Sequence, residues 1–203
     1  MAAAKDKQYE LGLKLPTDPR WADLAQHHLA DILIDHAYCE QKAASSCISL
    51  IVSFPQLEEV VRVLAPIVTE EWGHFRQVLA HMEKRGIRLG PKRNDEYVLA
   101  LGRLERKGGS KAAQLMEKCL INALIEARSC ERFKRLWQYL GEEDELGRFY
   151  YQLMVSEAGH YRTFLELAEA YNPTEAVRQR WQEYLSAEAS IIEGLQPRAD
   201  RFH

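Results

Sequence analysis

A six-residue phrase written twice constrains this chain more than anything else in it. Glu71-Trp72-Gly73-His74-Phe75-Arg76 returns 86 positions later as Glu157-Ala158-Gly159-His160-Tyr161-Arg162. Each copy is preceded, 31 residues upstream, by another glutamate in a helical apolar pattern: Glu40 for the first and Glu126 for the second. Positions i and i+3 share a helix face, so each Glu-x-x-His aims a carboxylate and an imidazole the same way. Two such helices, with two more that carry one glutamate each, supply the ligand set of a dinuclear iron or manganese centre in a four-helix bundle. A lone Glu-x-x-His says little. Its duplication in matched register predicts an all-α fold built around a metal site.

The apolar periodicity agrees. One stripe reads Leu29, Leu33, His36, Glu40, Ala43/Ala44, Cys47, Ile51, with Glu40 in the middle of an inward face. Glu71 lies between Val68 and Val78, Glu126 between Cys119 and Cys130, and Glu157 between Leu153 and Phe164, on stripes of the same kind. The expected helices cover about 28–52, 55–85, 95–106, 110–140, 142–171 and 173–192, in one domain (1–203) with its core at about 20–192. Thr17 or Asp18 is placed to cap a helix with Pro19 in its first turn. Pro66 should kink its helix, or open a bulge, one turn before Glu71.

Four carboxylates in one core need a cation, because an unpaired buried carboxylate either protonates or finds positive charge. Two divalent ions balance the charge of Glu40, Glu71, Glu126 and Glu157, with His74 and His160 binding as neutral imidazoles. Carboxylate-rich ligation with one histidine per ion suits iron or manganese better than zinc. In such bundles Glu71 and Glu157 would usually bridge, Glu40 with His74 completing one ion and Glu126 with His160 the other; the pattern itself leaves the bridges open. His36 and Asn122, one turn before Glu40 and Glu126, are candidates to hydrogen-bond the ligand carboxylates or, equally, to be satisfied core polar residues. Gly73 and Gly159 each cost the helix roughly 1 kcal/mol relative to alanine, which points to close packing or to space left beside the metals. The small run Ala43, Ala44, Ser45, Ser46 also suggests a cavity wall.

Composition narrows the setting. No uninterrupted apolar run approaches the roughly 18 residues of a membrane helix. The opening Met-Ala-Ala-Ala-Lys-Asp-Lys lacks the apolar core of a secretory signal, and the four cysteines show no Cys-x-x-Cys spacing, so a cytoplasmic protein with reduced thiols is expected. A net charge of −3 by itself argues against nucleic acid, yet residues 84–111 hold nine Lys/Arg against three Asp/Glu. That basic linker and short helix are either a solvated face or an electrostatic footprint.

The stretch His36-Ala-Tyr-Cys-Glu40-Gln-Lys-Ala-Ala-Ser-Ser46, with Glu-Trp-Gly-His-Phe and Glu-Ala-Gly-His-Tyr, resembles the bacterial tRNA 2-methylthio-N6-isopentenyladenosine hydroxylases, a branch of the ferritin-like superfamily. The resemblance spans roughly residues 15–195. It implies a ferritin-like four-helix bundle with additional short helices, holding two non-haem iron ions on Glu40, Glu71, His74, Glu126, Glu157 and His160. It implies an oxygen-dependent monooxygenase that hydroxylates the isopentenyl side chain of a modified adenosine in tRNA, with O2 as co-substrate. No flavin or nicotinamide motif is present, so an external electron donor is implied as a partner. Lys84, Arg85, Arg88, Lys92 and Arg93 would then meet tRNA phosphates. Methane-monooxygenase-type enzymes often have Asp before the Glu and Arg before the His; here Glu70 and Ser156, then Gly73 and Gly159, stand there. The competing expectations are a ferritin-like iron oxidase, storage protein or peroxidase, and a metal-free helical interaction module.

Overall fold

The structure, a computed structural model, describes residues 11–18, 20–92 and 95–195, with only the backbone of Leu24 and Gln26. Pro19, Arg93 and the tail from Gln196 lie outside the described residues. Among the described residues are helices α1 (Arg20–His27), α2 (Leu29–Ser53), α3 (Glu58–Glu83), α4 (Glu96–Gly102), α5 (Lys111–Leu140), α6 (Glu145–Tyr171) and α7 (Thr174–Gly194), and no strand. The all-α architecture follows the periodicity closely.

Local chemistry sets the boundaries. Asp18 Oδ1 accepts from the Arg20 backbone N–H at 2.9 Å, at the start of α1. Ser110 Oγ accepts from Ala113 N–H at 3.1 Å, and Asp144 Oδ1 from Leu146 and Gly147 N–H at 2.7 and 3.1 Å, so α5 and α6 start on side-chain caps. Between these two helices the chain turns so tightly that a Cβ on Gly147 would lie 2.1 Å from the Gly141 carbonyl oxygen. Only glycine fits there. Pro66 sits inside an uninterrupted α3, on its exposed side, where the carbonyl it leaves unpaired can meet water.

The four long helices form two antiparallel hairpins, α2 with α3 and α5 with α6. Their buried apolar residues fall into two separate clusters. One holds Leu50, Phe54, Leu64, Leu115, Leu120, Phe164 and Leu167; the other holds Ile32, Leu33, Val78, Met82, Phe133, Tyr150 and Leu153. Along every long helix the change from one cluster to the other occurs at or next to the glutamate: between Ala37 and Cys47 in α2, Ile67 and Val78 in α3, Leu124 and Cys130 in α5, and Ala158 and Phe164 in α6. The acids therefore form a polar layer across the middle of the bundle.

Helix α7 packs on α5 through buried ion pairs. Arg128, wholly buried, donates from Nε at 3.0 Å and Nη2 at 2.5 Å to Glu188 Oε1, while its Nη1 reaches Glu131 Oε2 at 2.6 Å and Nη2 the Leu15 carbonyl at 3.0 Å. The Tyr97 hydroxyl on α4 donates to the same Glu188 oxygen at 3.3 Å. One turn-pair away, Arg180 and the Tyr184 hydroxyl both donate to buried Glu117. Removing one member of a buried pair leaves the other charge desolvated. Glu188→Ala should therefore lower unfolding free energy by about 3–5 kcal/mol in urea titration; a change below about 1 kcal/mol would mean that Arg128 is satisfied without it.

Candidate metal centre

Six side chains converge where the polar layer crosses the bundle axis. Glu40 comes from α2, Glu71 and His74 from α3, Glu126 from α5, and Glu157 and His160 from α6. All are buried except His74, which is partly so. Two groups are formed, Glu40–Glu71–His74–Glu157 and Glu71–Glu126–Glu157–His160, each offering one ligand atom per residue within 4.8 Å of the others. Glu71 and Glu157 belong to both. His74 Nδ1 lies 3.5 Å from Glu40 Oε2, 3.6 Å from Glu71 Oε2 and 3.6 Å from Glu157 Oε1. His160 Nδ1 lies 2.7 Å from Glu71 Oε1 and 3.3 Å from Glu157 Oε2. Both imidazoles thus turn Nδ1 toward the shared carboxylates.

The donor set fits a pair of divalent cations. Both oxygens of Glu71, Oε1 of Glu157 and Nδ1 of His74 are buried and make no well-formed hydrogen bond, although they crowd one small volume. Buried polar atoms normally find partners, and a cluster of lone pairs aimed at a common point is what a cation satisfies. Ionisation carries the same signature. Burial pushes Glu40 and Glu126 well above the ordinary carboxylate range, reinforced by the neighbouring carboxylates. Burial also opposes charge on Glu71, yet the His160 and His74 imidazoles close beside it outweigh that and hold this carboxyl below its usual value. For the imidazoles burial pulls downward, but the surrounding carboxylates raise His74 to about 10 and His160 to about 12. Without metal, imidazolium and shared protons take over the cation's electrostatic role.

Around this group the two halves diverge. His36 is fully buried, with Nε2 at 2.7 Å from Glu40 Oε1 and its ring packed 4.9 Å from that of Phe133 and 5.7 Å from that of Tyr150. Asn122, its counterpart in the repeat, makes no hydrogen bond to Glu126. Its amide nitrogen donates to the Lys118 carbonyl at 2.8 Å and its oxygen accepts from Ser46 Oγ at 2.9 Å. A short amide in mid-helix readily bonds back to the i−4 carbonyl, which diverts it from the ligand one turn ahead. The satisfied-core reading holds for Asn122.

The duplicated spacing does not mark Glu70 as a site residue, yet its Oε2 lies 2.9 Å from His160 Nε2. Adjacent residues point about 100° apart on a helix, so the acid beside Glu71 faces α6 rather than the centre. Its place next to a ligand was the available signal. A Cβ on Gly73 or Gly159 would meet nothing within 4 Å, so these glycines leave open space and do not serve close packing.

In the basic segment, Lys84 pairs with Glu145 on α6, and Arg85 donates to the His81 carbonyl at 2.8 Å. Arg88, Lys92 and Arg103 are exposed and form no ion pair among the described residues.

Comparison with known proteins agrees with this geometry. The family described as tRNA-(MS2IO6A)-hydroxylase (MiaE) matches residues 6–203. The chain belongs to the MiaE family. A Pseudomonas putida relative, named tRNA 2-(methylsulfanyl)-N(6)-isopentenyladenosine(37) hydroxylase, is 37% identical over 191 residues, covering 94% of this chain and 91% of that protein. A Salmonella typhimurium protein of the same name is 35% identical over 150 residues, 73% of this chain and 53% of its own length. Among solved structures, a Synechococcus protein with aldehyde deformylating oxygenase activity superposes with a TM-score of 0.86 at 34% identity, covering 94% of both chains. The MiaE family assignment and the ferritin-like helical fold therefore stand on sequence and structure together.

The shifted groups give the metal-free protein a definite pH dependence. Glu40, Glu126, His74 and His160 bind protons more tightly folded than unfolded, so the stability they contribute is complete at low pH. The acids begin to lose it above the ordinary 4.5, and the imidazoles lose theirs as pH rises from 6.5 through about 10 and about 12. Glu71, lowered, works in the opposite sense and contributes above 4.5. Four groups against one predict that the melting temperature of chelator-treated protein falls from about pH 6 to about pH 9; a flat or rising profile would contradict the protonated cluster.

Proposed function

We propose that this protein is an oxygen-dependent di-iron hydroxylase acting on the isopentenyl side chain of 2-methylthio-N6-isopentenyladenosine in tRNA. One observation carries the reading: a chain aligned with a named tRNA hydroxylase along nearly its whole length has, in its core, two carboxylate–histidine groups that share Glu71 and Glu157. Glu40, Glu71, His74 and Glu157 would hold one iron, and Glu71, Glu126, Glu157 and His160 the other. When bound, the iron pair would supply O2 activation and oxygen insertion into a C–H bond, drawing electrons from a separate donor protein.

The chain's own residues orient the ligands and protect the chemistry. His36, donating Nε2–H to Glu40 Oε1, would leave Oε2 for the centre. Glu70, accepting Nε2–H from His160, would fix the tautomer that presents Nδ1 as a lone pair. The two apolar clusters above and below the acids exclude water from the reacting volume. No helix among the described residues is long and apolar enough to cross a membrane, in keeping with work on tRNA in the cytoplasm.

Nucleoside mass analysis tests the activity. Prenylated tRNA incubated with iron-loaded protein, O2 and a chemical reductant should gain one oxygen on the modified adenosine. Glu157→Ala should abolish this and bind neither iron, because it removes a ligand of both groups, whereas Glu126→Ala should retain about one iron per chain. Unoxidised nucleoside from protein holding two irons would shift the assignment to a ferritin-like iron oxidase.

For tRNA binding, Arg88 and Lys92 are the basic-linker residues most available to phosphate. Replacing both with glutamine should flatten the slope of log affinity against log salt by roughly 0.7–0.9 per lost contact, with no change in iron content. An unaltered slope would remove the linker from the interface.

A further inference from the structure

Two recesses approach the acidic layer from different sides of the bundle. The larger is an open groove between α3 and α6 of about 560 Å³, lined by Arg62, Glu70, Val155, Gly159 and His160 among others. It meets the outer edge of the His160 ring, where Nε2 already faces Glu70, and the imidazole stands between it and the shared carboxylates. The smaller, about 220 Å³, lies between α2, α4 and α5 and reaches Glu126 itself. Its wall is largely apolar, from Ala43 on α2, Val98 on α4, and Ile121 and Ile125 on α5, while the charged residues beside them are paired, Lys42 with Asp95 and Lys118 with Glu105. The small Ala43 and Ser46 keep the α2 side thin; Ala44 is buried elsewhere and Ser45 is exposed.

We infer that this α2–α4–α5 cleft receives the substrate's branched five-carbon prenyl tail, with α4 as its outer wall and the basic linker along its mouth. The inference rests on the hydroxylase reading above and names the route by which that substrate reaches the centre. Three observations favour this occupant. The cleft reaches a carboxylate of the metal-ligand group from the side opposite the two histidine-bearing helices, so no imidazole blocks the path. Its volume is small and its wall largely aliphatic, which suits a short hydrocarbon chain better than a nucleobase.

The third is the course of the linker. It is fastened to α2 at two points one turn apart: the Tyr38 hydroxyl donates to the Gly90 carbonyl at 2.7 Å, and Lys42 Nζ lies 3.1 Å from Asp95 Oδ2. Asp95 then caps α4, its Oδ1 accepting from Val98 N–H at 3.0 Å, and Tyr97 anchors α4 inward to Glu188. Of the exposed cations that form no ion pair among the described residues, Arg88 and Lys92 lie on the linker to either side of the tethered Gly90, and Arg103 follows Gly102 of the cleft wall. The linker that carries these cations is thus tied to the helix walling the cleft, so a polyanion held on it would have its apolar tail beside a largely aliphatic recess.

The test compares the affinities of a prenylated and an unprenylated anticodon stem-loop for the full-length, iron-loaded protein, kept without reductant so that no turnover occurs. Wild type should prefer the prenylated form by roughly 10- to 100-fold, the gain expected for burying part of a five-carbon chain. Ala43→Phe, and independently Val98→Trp on the short α4, should each bring that ratio to near one. Affinity for the unprenylated stem-loop, iron content and helicity should be unchanged. Val155→Trp, which fills the opposite groove, should leave the ratio intact. Collapse in the groove variant instead, or an undiminished ratio in a folded Ala43→Phe or Val98→Trp protein, overturns the cleft assignment. Those results would be obtained with wild-type protein that still hydroxylates prenylated tRNA. A wild type that leaves the nucleoside unoxidised and shows no prenyl preference removes the functional reading, and the tail with it.

Discussion

Everything in this molecule is arranged around the cost of four carboxylates in a protein interior. An apolar core of this size would ordinarily be continuous. Here it is cut in two, with leucines, phenylalanines and valines gathered above and below a polar layer at Glu40, Glu71, Glu126 and Glu157. Placing like charges together in low dielectric is strongly unfavourable unless positive charge sits among them. The two imidazoles provide it when protonated, and two divalent ions would provide it more completely. The fold is thus a holder whose stability would be linked to metal binding through the same six side chains.

The near-symmetry of the halves ends at the ligands. His36 bonds Glu40, but Asn122 turns away to Lys118 and Ser46; Glu70 holds the outer nitrogen of His160, while Ser156 stands at the corresponding place in the other half. Lys42 and Arg128 also correspond in the repeat, yet one is partly exposed and pairs with Asp95 across the cleft, and the other is buried against Glu188. A duplicated ligand set therefore sits in surroundings that differ on every side. Chemistry that treats one substrate face differently from the other requires such a difference.

That asymmetry also separates a rigid side from an open one. Helix α7 locks onto α5 through Arg128–Glu188 and Arg180–Glu117, and Tyr97 ties α4 into the first of these pairs. The other flank of α4 covers the cleft beside Ala43 and Ile125. A short helix anchored at its N-terminal end through Asp95 and Tyr97 can wall a narrow apolar channel while the linker before it presents cations to solvent. Binding of a nucleic acid and entry of its hydrocarbon tail then share a single structural support.

The sequence alone determined the class of the fold and the identity of the six convergent side chains. Both are written in spacing: a 3.6-residue apolar period fixes which face is inward, and an 86-residue repeat fixes which acids meet. Helix ends were legible approximately, α5 and α6 starting at Lys111 and Glu145 where the pattern places them near 110 and 142. The tertiary structure alone decided the outer partners. Glu70 against His160 joins residues 90 positions apart on different helices, and the diversion of Asn122 depends on Ser46, 76 positions away. It also showed that Gly73 and Gly159 face open space, and it placed the cleft between α2, α4 and α5. Periodicity specifies the direction in which a side chain leaves its own helix. What it meets there depends on the crossing and registry of the neighbouring helices, which no local pattern encodes.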